Sequence, residues 1–205
     1  YSGVAYKNIL LKKEILTFFA TKGPSTIPEL SKEFNISIPK INECINELIE
    51  DALVQDNGKS TSGIGRKPNS YGLLPNAAFF VGVQVSHDHL SIVVMNMKKD
   101  IIASQEEIPH RLENNQESLQ NICREINQFI ATHQIQKDKI LGVGINLSGR
   151  INYRTGYSYS YFNFYEDPLS KYFEQELQLR TYLENDSKAL AYGEFSSGIL
   201  KDEKD

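Results

Sequence analysis

Thr26-Ile27-Pro28-Glu29-Leu30 and Ser37-Ile38-Pro39-Lys40-Ile41 repeat one short pattern eleven positions apart. Each opens on a hydroxyl side chain that can accept a hydrogen bond from the free amides of a helix's first turn. Each has proline inside that turn, where a missing N–H costs little. Thr26 and Glu29 also have capping-box spacing. Helices starting this close leave room only for a tight turn, to which Asn35 is suited. Such a pair can set its second helix in a DNA major groove.

Working outward, Lys7 to Thr21 carries apolar residues at Ile9, Leu10, Leu11, Ile15, Leu16, Phe18 and Phe19, predicting a first helix that ends at Gly23-Pro24. The second helix, about Thr26 to Phe34, is expected to bury Ile27, Leu30 and Phe34. The third, Ile38 to about Ala52, is expected to bury Ile38, Ile41, Ile45, Leu48 and Ile49. Pro39, Lys40, Asn42, Glu43 and Asn46 then face outward. Leu53–Gln55 and Ser70–Leu73 predict two strands, joined by a Gly/Ser-rich cationic stretch from Asp56 to Pro68. That is a winged helix-turn-helix. Ser37, Pro39, Lys40 and Asn42 at the start of the third helix, with Lys59, Arg66 and Lys67 of the wing, are the expected DNA-contact residues. Asn can read adenine and Lys guanine or phosphate, while wing cations hold phosphates or enter a minor groove. The competing reading is a three-helix bundle used for protein contact.

Charge supports a local rather than a general nucleic-acid surface. The chain of 205 residues has a net charge of −4, yet residues 1–75 sum to +1 and the remainder to −5. From Asn57 to Leu74, Lys59, Arg66 and Lys67 meet no acidic residue. A basic strip on an acidic protein favours docking in one orientation. No apolar run is long enough to span a membrane, and nothing resembles a signal peptide, so a cytoplasmic protein is expected. Cys44 and Cys123 sit in helical patterns and read as small buried thiols. His87, His89, His110 and His133 show no metal-ligand spacing with them.

Leu74-Pro75-Asn76 marks the expected boundary between a domain over 1–75 and another over 76–205. Beyond it, Phe79–Val85, His89–Met97 and Ile101–Ile108 predict three successive strands. A helix over Glu117–His133 follows, then a buried strand over Ile140–Leu147, a helix over Leu169–Leu177, a strand over Thr181–Glu184 and a last helix from Ser187 to about Ser196. That order gives an α/β domain, whose ligands bind where strands end and loops open.

The order of motifs resembles the ROK family (repressors, open reading frames, sugar kinases). Gly63-Ile64-Gly65-Arg66-Lys67-Pro68 is similar to the family's Gly-Gly-Arg-Arg-Pro, and Gly142 to Gly149 to its Gly-x-Gly-x-x-x-Pro-Gly strand and turn. Leu183-Glu184-Asn185-Asp186-Ser187-Lys188-Ala189 through Gly193-Glu194 is similar to its Glu-Asn-Asp-Ala-Asn-Ala and trailing Gly-Glu. The resemblance implies an actin-like, ribonuclease-H-like fold, with the second lobe absent from this chain. Zinc is implied only in that later segment, so no cofactor is expected here. Family kinases carry Asp-x-Gly-Gly-Thr after the first strand, whose amides cradle ATP phosphates. Here Gln84, Ser86, His87 and Asp88 stand in those places. The resemblance thus implies a sugar-responsive regulator, expected to be a repressor acting as a homodimer on operator DNA; a hexose kinase is the alternative.

By the same resemblance, Ser148, Gly149, Asn163, Asn185 and Asp186 are the expected sugar-binding residues. Asp186 stands at the kinase-base position, while Ser148 replaces the family's proline. The pair Asn185-Asp186 can equally be a helix cap that needs no ligand. Tyr153, Tyr157, Tyr159, Tyr161, Phe162, Phe164 and Tyr165 form an aromatic run that either stacks on a sugar ring or buries alternating tyrosines in a strand.

Overall fold

The computed structural model describes residues 3–59 and 68–197. The chain divides into two compact units, Tyr1–Ala77 and Ala78–Asp205. Among the described residues no helix is long and apolar enough to cross a membrane.

The first unit is built on three helices. Helix α1 (Gly3–Lys22) buries Leu11, Ile15 and Phe19, one residue per turn on one side. Tyr6, Ile9 and Leu10 of the same helix are exposed, so the apolar face is narrower than the composition suggests. Strand β1 (Ser25–Thr26) leads into α2 (Ile27–Phe34). The capping box forms: the Glu29 amide donates to Thr26 Oγ1 at 3.4 Å, and the Thr26 amide donates to Glu29 Oε2 at 2.8 Å. Asn35 closes α2 in the left-handed region at φ 53°, and Ser31 Oγ donates to the Ile36 carbonyl at 2.6 Å across the turn.

Helix α3 (Ile38–Glu50) follows at once. Ser37 precedes it, but its hydroxyl makes no cap; its carbonyl accepts from the Lys40 and Ile41 amides instead. Ile41, Cys44, Ile45 and Leu48 are buried, whereas Ile38 and Ile49, expected in the core, are exposed. Both lie at the rim of a face already filled by the residues one turn away. Lys12 ties α1 to α3 through Glu47 at 2.9 Å and Asp51 at 3.3 Å. Strands β2 (Val54–Lys59) and β3 (Asn69–Leu73) pair antiparallel, with β1 on the far side of β3. Strand β2 runs to Lys59, four residues beyond the expected end, because Lys59 pairs with Asn69.

The second unit is built on a five-stranded mixed sheet. Strands β4 (Phe79–Val85), β5 (His89–Asn96) and β6 (Ile101–Pro109) form an antiparallel meander. Helix α4 (Gln116–Thr132) carries the chain back to β7 (Ile140–Leu147), which lies parallel to β4. A short hairpin of β8 (Ile151–Asn152) and β9 (Tyr157–Ser158) precedes α5 (Leu169–Leu177). Strand β10 (Thr181–Asn185) then pairs parallel with β7, and α6 (Asp186–Ser197) follows without a break. Alternate residues Val81, Val83 and Val85 meet Leu119, Ile122, Ile126 and Phe173 of α4 and α5 in one core. The other sheet face leaves Phe80 and Tyr182 exposed around the adjacent glycines Gly82 and Gly144.

Candidate functional site

Parallel pairing of β7 with β10 sets Leu147 opposite Asn185, so both strands end side by side. The residues that follow meet immediately. Ser148 Oγ donates to Asp186 Oδ2 at 2.6 Å, and Asn185 Nδ2 donates to the Gly149 carbonyl at 2.8 Å and to Asp186 Oδ1 at 3.0 Å. The Ser187 amide donates to Asp186 Oδ1 at 2.7 Å, and the Lys188 amide to Asn185 Oδ1 at 3.1 Å. Asn185 is therefore the side chain that caps α6, and Asp186 is aimed back at the β7 turn. The Ser148 hydroxyl holds the Asp186 carboxyl below its ordinary range, joined by the Ser187 amide and hydroxyl and opposed by partial burial. An ionised, half-buried carboxylate at the mouth of two parallel strands is a strong acceptor for hydroxyl donors.

Gly149 bends the turn. Its φ of 97° lies in the left-handed region, and a Cβ there would stand 2.4 Å from Ser160 Cβ. Ser160 Oγ accepts the Arg150 amide at 2.9 Å, which ties the turn to the aromatic segment. Ser160 was invisible as a site residue in the sequence, since the contact joins two loops ten positions apart.

Gln84 on β4 and Asn146 on β7 are register partners. They line a hollow of about 390 Å³ with Asp186, Ser187, Leu190 and Gly193. Asn146 Oδ1 is buried with no hydrogen-bond partner among the described residues. The turn after β4 is a closed hairpin in which the Ser86 amide donates to the His89 carbonyl at 2.9 Å. Asp88 is engaged by the His89 ring at 2.7 Å, and that bond keeps its carboxyl below the usual range. Among the described residues no His, Cys, Asp and Glu side chains group as a metal site.

Asn163 lies apart from the Ser148–Asp186 hydrogen bonds. It is exposed, its Oδ1 accepts from Asn114 Nδ2 at 3.0 Å, and its own amide donates to the Tyr159 carbonyl at 3.4 Å. The aromatic run divides its roles. Phe162 is buried, Tyr161 and Tyr165 pack against the core, and Tyr153, Tyr159 and Phe164 are exposed. Only Tyr157 of the alternating tyrosines lies in a strand.

In the first unit, Ser37, Pro39 and Asn42 are exposed at the start of α3. Lys40 is half-buried and donates to Glu43 Oε2 at 2.9 Å, which raises its pKa. Glu43 is thus part of this face, a pairing foreshadowed by its spacing three residues from Lys40. Lys59 is exposed at the end of β2. Arg66 and Lys67, with the Gly63–Gly65 stretch, lie outside the described residues.

The family model for ROK matches residues 80–205, more than half of the chain. This chain belongs to the ROK family. It is 25% identical over 195 residues to a xylose repressor of Bacillus spizizenii, covering 94% of this chain and 49% of that protein. With 94% of the chain covered, that match includes most of the first unit. A solved ROK family transcriptional regulator, a homologue of Escherichia coli Mlc, superposes with a TM-score of 0.70 at 21% identity, covering 94% of this chain and 49% of its own. A ROK hexokinase from Thermus thermophilus superposes with a TM-score of 0.50 at 18% identity over 61% of this chain and 39% of its own. The ROK fold of the second unit is shared by regulators and kinases alike. The chain spans about half the length of the curated relatives it matches.

Proposed function

We propose that this chain is the winged helix-turn-helix and first actin-like lobe of a sugar-responsive transcriptional repressor. The observation that carries the reading is the ROK second unit joined to a first unit whose capped α2, tight turn and exposed α3 start have the form of a DNA-reading helix pair. Likeness to the xylose repressor over 94% of the chain supports it. Ser37, Pro39, Lys40 and Asn42 contact the major groove, and Lys59, Arg66 and Lys67 hold the backbone. Asp186 and Asn185, with Ser148 and Gly149, receive sugar hydroxyls. Asn163 is the remaining proposed sugar contact. The protein acts as a homodimer on a two-fold operator, and sugar binding shifts the paired first units so that DNA is released.

Phosphoryl transfer is the second reading, favoured by the fold shared with a ROK hexokinase. It needs a phosphate-cradling turn and a metal-holding acid. Gln84 is not an acid, Ser86 and His87 are not glycines, and Asp88 is bound to His89. A coupled ATP assay with a sugar panel separates the two readings, and turnover above background would overturn the repressor. Retention of operator DNA by the native protein, released by one sugar of the panel, is the positive test.

A further inference from the structure

The two Ile-Pro motifs open α2 and α3 alike and reach the same core, with Leu30 and Ile41 fully buried. They differ in what covers their first residues. In α2, Thr26 is buried and caps the helix, and Ile27 next to it is half-buried. In α3, Ser37 is exposed and its hydroxyl makes no cap, and Ile38 is 52% exposed. Pro39 and Asn42 of the same helix end are exposed too. Ile38 is branched at Cβ and Pro39 has a fixed φ, so the tip they form is stiff as well as apolar.

A lone apolar side chain on a surface is ordinary. This one stands at the end of α3, where base-reading side chains sit in a helix-turn-helix. Helix α3 contains no arginine, the commonest reader of guanine, and its one lysine, Lys40, is held by Glu43 at 2.9 Å. Ile38 instead presents a branched hydrocarbon and Asn42 a carboxamide, four positions apart and therefore on one side of the helix. An A·T pair answers that combination in the major groove, offering the thymine C5-methyl to a hydrocarbon and adenine N6 and N7 to a carboxamide.

We propose that Ile38 is a specificity-determining residue that reads the C5-methyl group of a thymine in the operator. This rests on the reading of α3 as the DNA-reading helix. Four residues of helix rise about 6 Å and a base pair about 3.4 Å, so the thymine lies within about two base pairs of the adenine that Asn42 reads. Exposure of Ile38 is then a property of the free protein, and the side chain is covered when the helix enters the groove.

Selection from a pool of duplexes of randomised sequence by the native full-length protein, followed by single replacements of thymine with deoxyuridine in the recovered duplex, tests it. Deoxyuridine lacks only the methyl group, so this arm leaves the protein unaltered. One such replacement in each half-site should weaken binding about fourfold, the loss expected when one methyl is no longer buried. Ile38→Ala should bind the thymine and deoxyuridine duplexes equally, and Ile38→Val should keep part of the difference. Binding without sequence preference, the absence of any sensitive thymine, or a loss that persists in Ile38→Ala would overturn the inference and leave DNA binding standing. Binding of no duplex at all would overturn the DNA-reading assignment of α3 and this inference together.

Discussion

Removing Glu29 should loosen α2 more than an ordinary helix-cap substitution does. Glu29 Oε2 accepts from Ser25 Oγ at 3.0 Å, from the Thr26 amide at 2.8 Å and from Thr26 Oγ1 at 2.8 Å. Ser25 and Thr26 are buried, so Glu29→Ala strands donors that water reaches poorly. A hydrogen bond to a charged group contributes about 1.5–3 kcal/mol, and an unmade buried one costs about as much. Three donors share one oxygen at the solvent rim, where screening reduces each, so the total is about 2 kcal/mol. That corresponds to roughly 30-fold faster amide exchange over Ile27–Phe34 at pH 7. Glu29→Gln keeps an oxygen but loses the charge and should fall about midway. Hydrogen bonds from the Thr26 amide, the Thr26 hydroxyl and Ser25 hold the Glu29 carboxyl below its ordinary value of 4.5. A depressed carboxylate stabilises fully above the unfolded value and loses that contribution as pH falls through the folded one. The gap between the native chain and Glu29→Gln should therefore be full at pH 7 and shrink as pH falls below 4.5. Exchange rates over α2 unaltered by Glu29→Ala, or a Gln gap undiminished in acid, would refute this reasoning.

In DNA binding, Glu43→Gln should free Lys40 from its 2.9 Å partner, raise affinity for nonspecific duplex and steepen the salt dependence by about one unit of slope. Lys40→Ala should lower both, read by fluorescence anisotropy across a salt series. Ile126→Ala, in the fully buried face of α4, should destabilise the second unit by about 2–5 kcal/mol in denaturant unfolding. Burial pushes the Cys123 thiol up to about 12, so it should react with a thiol reagent at pH 8 only after unfolding, and stoichiometric labelling of the native chain would contradict that.

The elements of the second unit were legible because each carries a clean period. The Phe79–Val85 alternation and the Leu119, Ile122, Ile126, Phe129 spacing appear in the structure as read. The capping box was legible because Thr26 and Glu29 act over three residues. Rim positions were not. Ile38, Ile49, Ile9 and Leu10 match the apolar period, yet sit where a helix face turns to solvent, which depends on neighbours that periodicity does not encode. Of the two readings of Asn185-Asp186, the helix cap is visible and falls on Asn185, while Asp186 Oδ2 accepts from Ser148. Ser160 and Asn114 carried no local signal because their partners lie in loops distant along the chain.

Operator DNA retention by the native full-length protein, measured against a sugar panel for the native sequence and for Asp186→Asn, tests the sensor reading most directly. One sugar should release DNA from the native protein in a saturable manner, while Asp186→Asn should stay bound at sugar concentrations about tenfold higher or more, reflecting a lost charge-assisted contact. DNA binding that no sugar alters, or release that is equal in the two proteins, would contradict it.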